Sequence, residues 1–293
     1  MCGRYAASKA TDDLVEELEV DADRTSEPVR SVLVNPQNPP AGTPDYNMAP
    51  GKNARVVLTR RVADGGDSSA DGEAGAQTAE TGEAPVERSL RLLTWGLVPP
   101  WAKDLRTGMK MTNARVETVL EKPSYRKPAH QRRCLIPADG WYEWQVSPTA
   151  LDAKGKPRKQ PFFTSRADGA PLTFGGLYEF WRDPAGEKGD PLAWLVTFTI
   201  ITQAAEPGLD RIHDRQPLVV DPANWAAWLD PSLVETADVA DLLRPAAPGR
   251  FEAYPVDRAV GSMRNNGPGL LRPLGLDELV GAVDPATGEI IGE

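Results

Sequence analysis

Apolar positions along the chain fall mostly on a two-residue period, and helical spacing is confined to short stretches. After an N-terminal strand, Arg55–Arg61 alternates as a strand does, and Ser89–Trp95 supplies a partner for it across an insertion. Arg133 to Trp144 reads as strand, turn, strand, and further strands are predicted at Phe162–Ser165, Leu172–Tyr178, Trp194–Thr202, Pro217–Val220 and around Tyr254–Val256. Trp194–Thr202 is an uninterrupted apolar run, the pattern of a central strand covered on both faces. Thr11 caps a helix with Leu14, Val15 and Leu18 on one face. Thr112 or Asn113 caps a second short helix, and Asp221 and Pro222 open a third whose face carries Trp225 and Trp228. Residues 27–50 are proline-rich, so this stretch, with Tyr46–Pro50 at its end, is predicted as extended loop.

At 293 residues and 40% hydrophobic content the chain can build a proper core without staples. Two cysteines, Cys2 and Cys134, exclude a disulfide framework and a multi-cysteine zinc site. No apolar run approaches the roughly 20 residues of a membrane span, and no signal pattern opens the chain, so a cytoplasmic protein is expected. Charge is unevenly placed. Residues 62–87 hold seven acids and no Lys or Arg, and without them the formal charge falls from −9 to −2. With no aromatic residue and no aliphatic side chain larger than alanine in 64–84, this insertion is expected to be disordered. Residues 103–133 carry a local charge of +6, compatible with nucleic acid and equally with a solvated face.

Candidate chemistry starts at Met1-Cys2-Gly3-Arg4-Tyr5. Removal of Met1 would leave Cys2 with a free amine, of reference pKa about 8, beside a thiol of about 8.5. Such a 1,2-aminothiol condenses with an aldehyde to an imine and closes to a thiazolidine; alternatively the thiol attacks a carbonyl with the amine as base. On position alone an ordinary buried or incidental residue is the favoured reading of Cys2. Glu143, between Tyr142 and Trp144, is a candidate for a raised pKa, or else points to water. Of two histidines, His213 in its loop is the better acid–base candidate and His130 lies in a polar, basic run. Trp95 and Trp101 frame a Gly/Pro loop as core residues or as a stacking platform for bases.

Taken in order, Met1–Tyr5, Tyr46–Pro50, Trp95–Trp101, Asn113–Glu117, Pro137–Trp144 and His213–Pro217 resemble the signature of the SOS-response-associated peptidase (SRAP) family over residues 2 to about 273. Gln216 departs from it, standing where a methionine is usual. The resemblance implies one α+β domain over 1–273, with a curved, barrel-like, mostly antiparallel sheet flanked by short helices, followed by a tail at 274–293. It also implies a protein that binds single-stranded DNA and captures an abasic site covalently; a monomer is expected, with no cofactor and no metal. In that reading Cys2 becomes the thiazolidine, Glu143 is the acid–base group, His213 helps open the sugar and moves protons, and Asn113 holds the opened sugar. Arg4 and Arg115 would hold phosphates, Trp95 and Trp101 would wedge or stack, and Gly3, Asn47, Pro50, Trp144, Thr202 and Arg215 would complete the DNA contact. Peptidase or lyase-like activity of Cys2 as an N-terminal nucleophile, and non-enzymatic binding of single strands, are the alternatives.

Overall fold

Strand β1 (Arg4–Ala7) turns Tyr5 into one apolar cluster and Ala6 into another, and that division by alternate residues organises the molecule. The computed structural model describes residues 2–61, 85–187 and 189–292. Beyond β1 come β2 (Ala22–Asp23), β3 (Asp45–Met48), β4 (Asn53–Arg61), β5 (Val86–Trp95), β6 (Asn113–Arg115), β7 (Arg133–Ala138) and β8 (Gly140–Leu151). The remaining strands are β9 (Pro157–Arg166), β10 (Leu172–Arg182), β11 (Trp194–Ala204), β12 (Arg215–Pro217), β13 (Phe251–Pro255), β14 (Ala282–Val283) and β15 (Ile290–Ile291). The α-helices are α1 (Thr11–Glu17), α2 (Pro123–Gln131), α3 (Trp225–Leu229) and α4 (Thr236–Leu242). None is long and apolar enough to cross a membrane.

One sheet has the order β13-β9-β8-β1-β3 and is antiparallel throughout. The other runs β12-β11-β10-β7-β4-β5-β2, and a parallel pairing of Phe198 with Trp95 joins β11 back to β5. Strands β11, β10, β7, β4 and β5 thereby close a five-stranded barrel, the α+β architecture expected. Val56, Leu58, Ile136 and Phe198 face an inner cluster with Tyr5 and Trp141 of the first sheet. Their neighbours Val57, Leu135 and Ile201 face outward, where Leu14 of α1, Tyr125 of α2 and Trp228 of α3 cover them. Helices of five to nine residues are too short to persist alone in water, so this packing holds them. Strand β11 is buried on both faces, as its apolar run predicts.

Several boundaries differ from expectation. Thr11 is the first residue of α1 rather than its cap; Ala10 holds that position and the Thr11 hydroxyl reaches Gly42 O at 3.5 Å. Asp45–Met48 pairs with β1, so the proline-rich segment ends in a strand. Residues 113–115 are strand, not helix, because β11 offers a parallel edge that takes Asn113 against Ile200 and Arg115 against Thr202. Of the acidic stretch, Val86 and Glu87 belong to β5, with Glu87 paired to Arg24 at 2.7 Å; the expectation for 62–84 lies outside the described residues. Asp221 holds the N-cap position with Pro222 after it, as expected, but its carboxylate makes ion pairs with Arg166 and Arg250 and no capping hydrogen bond. The segment predicted as a strand at 217–220 is β12 followed by a single bridge from Val219 to Phe174.

Candidate active site at the amino-terminal strand

Tyr5 pairs with Trp141 and Arg4 with Tyr142, so the same register carried one step on sets Gly3 against Glu143. Side chains alternate along β8, which gives Glu143 and Gln145 the face of Trp141, directed at the inner cluster. Cys2 lies in that cluster with no exposed surface. Burial pushes its thiol well above the ordinary range, and the negative charge of Glu143 pushes it further. Burial also raises the Glu143 carboxyl to about 7, against the pull of the positive amino terminus. The Cys2 thiol and a carboxyl poised near neutrality therefore share one low-dielectric region.

His213 reaches this region from the loop between β11 and β12. Leu209 and Ile212 anchor the loop in the inner cluster, and Gln216 Oε1 accepts the Glu206 N–H at 2.9 Å. Gln216, the departure from the family pattern, thus closes the loop that carries the histidine. His213 Nδ1 lies 3.0 Å from the Arg215 backbone N and 2.9 Å from Asp214 Oδ1. The first contact needs Nδ1 unprotonated and the second needs it protonated. Burial, and then the charge of the amino terminus, lower the imidazole pKa, so the ring is neutral and able to take up a proton near neutrality.

Asn113 starts β6 next to Thr112, whose carbonyl accepts the Trp95 indole N–H at 2.9 Å. Both polar atoms of the Asn113 amide are buried and lack a hydrogen-bond partner among the described residues. An amide left so costs free energy unless a ligand completes it. Thr202 is buried opposite Arg115, two residues further along the same pairing, its hydroxyl 3.4 Å from Ala114 O.

The other predicted DNA groups divide. Trp101 is 61% exposed and Arg115 is exposed, so both face solvent. Gly3, Pro50 and Trp144 are half-buried. Trp95 is fully buried and stacks on Phe198, so its ring serves the core and has no face for a base, contrary to expectation. Asn47 is also fully buried; its amide donates to the carbonyls of Val260, Ser262 and Asn265 and its Oδ1 accepts from Arg4 at 2.7 Å. Arg4 itself donates to Val260 O and Gly261 O, which binds it to the 260–265 turn. Arg215 is held by Glu117 at 2.5 Å and 3.0 Å and by Thr202 O at 2.6 Å. Arg133, within the basic run, is buried and donates to five backbone carbonyls, so it adds nothing to a basic surface.

A family model described as SOS response associated peptidase (SRAP) matches residues 1–263. Abasic site processing protein YoqW of Bacillus subtilis (strain 168) is 35% identical over 274 residues, covering 92% of this chain and 99% of its own. Abasic site processing protein HMCES of Gallus gallus is 32% identical over 257 residues, covering 80% of this chain and 67% of its own. Among solved structures, a protein from Bacteroides thetaiotaomicron superposes with a TM-score of 0.65 at 21% identity, covering 94% of this chain and all of the other, a likeness of fold. A phage-related protein from Bordetella bronchiseptica gives 0.55 at 27% identity, covering 88% of this chain and 95% of its own.

Proposed function

The chain belongs to the SOS response associated peptidase family, and from that premise and the site geometry we propose that it processes abasic sites in DNA through Cys2. The observation that carries the reading is the Glu143 carboxyl, poised at about 7 against a buried Cys2. Once Met1 is removed, the Cys2 amine adds to the aldehyde of the ring-opened sugar and water leaves to give an imine. The thiol then adds to the imine carbon, and its proton passes to the nitrogen to complete a thiazolidine. Glu143 takes and returns the protons of both steps. His213, neutral at this pH, assists the opening of the sugar, and the Asn113 amide, unpartnered among the described residues, receives the sugar hydroxyls.

The raised thiol favours this order over a thiolate-first peptidase, which needs a cysteine pushed down rather than up. A site at this depth also admits a sugar without a base more readily than a complete nucleotide. Single-stranded DNA is the substrate form in this reading, since a single strand can present its sugar to a buried thiol with no duplex to open. Arg115 and Trp101 meet the flanking strand at the rim, by phosphate and base contact respectively.

The test is incubation of the purified protein with a single-stranded oligonucleotide carrying one abasic site, resolved on a denaturing gel. The wild type gives a shifted covalent product and Cys2→Ala gives none. A shift that persists in Cys2→Ala, or turnover of peptides in the absence of any DNA product, contradicts the reading.

A further inference from the structure

Residues 279–292 lie beyond the family match, yet they dock against the elements that carry Glu143 and His213. Strands β14 and β15 pair Ala282 with Ile291 and Val283 with Ile290, and Leu279 and Ala282 are buried. Gln145 meets this hairpin as a strand edge would: Nε2 donates to Val283 O at 2.8 Å and Oε1 accepts the Val283 N–H at 2.7 Å. The same Nε2 donates to Arg211 O at 3.1 Å, two residues before His213. Arg211 donates in turn through Nη1 to Pro285 O at 2.6 Å. A side chain at Gly281 would meet Ser147 Oγ at 2.6 Å, so glycine there allows the hairpin to close on β8.

We propose that Gln145, Arg211 and the 279–292 hairpin brace the His213 loop against β8 and so hold the imidazole by the amino-terminal site. The role is one of positioning, since neither Gln145 nor Arg211 touches a reacting atom, and it rests on the reading of His213 given above. Three chain segments far apart in sequence meet at one side-chain amide, and two of them carry the acid–base residues. The charged groups about His213 are Asp214 on its own loop, Arg215 on β12 with Glu117 behind it, and the amino terminus; Glu143 on β8 feels the same Asp214 and the same amino terminus. Loosening the brace leaves these in place but lets water reach the ring, which reverses the burial that lowers its pKa.

With only two histidines in the chain, the full-length protein allows His213 to be followed by NMR titration, assigned with His130→Gln. In Arg211→Ala and Gln145→Leu the His213 midpoint rises by roughly half a unit or more, and Arg211→Lys restores it. An unmoved midpoint in folded Arg211→Ala overturns the brace; the exposed position of Arg211 keeps that variant folded if Gln145→Leu is not. Adduct formation measured on the same samples separates the two claims. A raised midpoint with slower adduct formation supports both, whereas a raised midpoint with an unchanged rate keeps the brace and removes His213 from the reaction.

Discussion

Glu143 is held protonated by its surroundings to about 7, above its ordinary 4.5, and this has a thermodynamic consequence. Between those values the unfolded chain has lost a proton that the folded chain keeps, so stability is full below about 4.5 and falls as pH rises toward 7. Glu143→Gln is therefore expected to stabilise the protein at pH ~8 by up to about 3 kcal/mol and not at pH ~4, read from urea denaturation. It also slows adduct formation by roughly 10²–10⁴-fold. A variant no more stable than wild type at the higher pH would mean that the carboxyl ionises at no cost. Glu143 was legible in the sequence, but for a reason the structure revises. Its aromatic neighbours Tyr142 and Trp144 lie on the opposite face of β8, and the burial comes from the face it shares with Trp141. Gln145 gave no chemical sign; its spacing of two from Glu143 was the only signal, and that shows which face it takes, not what it holds.

Strands were easier to read than helices because the barrel strands either divide alternate residues between two clusters, as β4 does, or read as one buried run, as β11 does, whereas the short helices take their form from packing. Asn113 illustrates the limit. Its residue type favours a cap, and only the distant edge of β11 makes it a strand, with its amide left unpartnered among the described residues. The loop after β5 depends on a comparably long-range contact. Gly96 has φ of +126°, and a Cβ there would lie 2.6 Å from Gly108 O, so the two ends of the Trp101 loop touch backbone to backbone. Gly96→Ala is expected to destabilise by about 1–3 kcal/mol, seen as a lower urea midpoint; an unchanged midpoint would mean that the loop ends can separate freely. Trp101→Ala leaves stability intact and weakens binding to single strands by about 1–3 kcal/mol. Equal loss from Trp95→Phe, whose ring is buried, would contradict that division of roles.

At the scale of the whole molecule, a net charge of −9 and a basic stretch coexist, and the structure trims the latter by burying Arg133 and pairing Arg132 with Glu179 at 2.8 Å. The six ordered motifs made the family and the barrel legible, but not the docking of the C-terminal hairpin, which depends on backbone groups that sequence does not distinguish. Arg115 is the exposed cation of the motif set, so Arg115→Ala is expected to lower the salt slope of DNA binding by about 0.7–1; an unchanged slope removes its phosphate contact. The central claim is chemical, and the intact mass of the adduct tests it after alkylation under denaturing conditions. The account predicts a chain that begins at Cys2, joined to the abasic oligonucleotide with loss of one water and alkylated once, at Cys134, because the Cys2 sulfur is closed into a ring. An adduct that retains Met1, or one that takes up two alkyl groups, would contradict it.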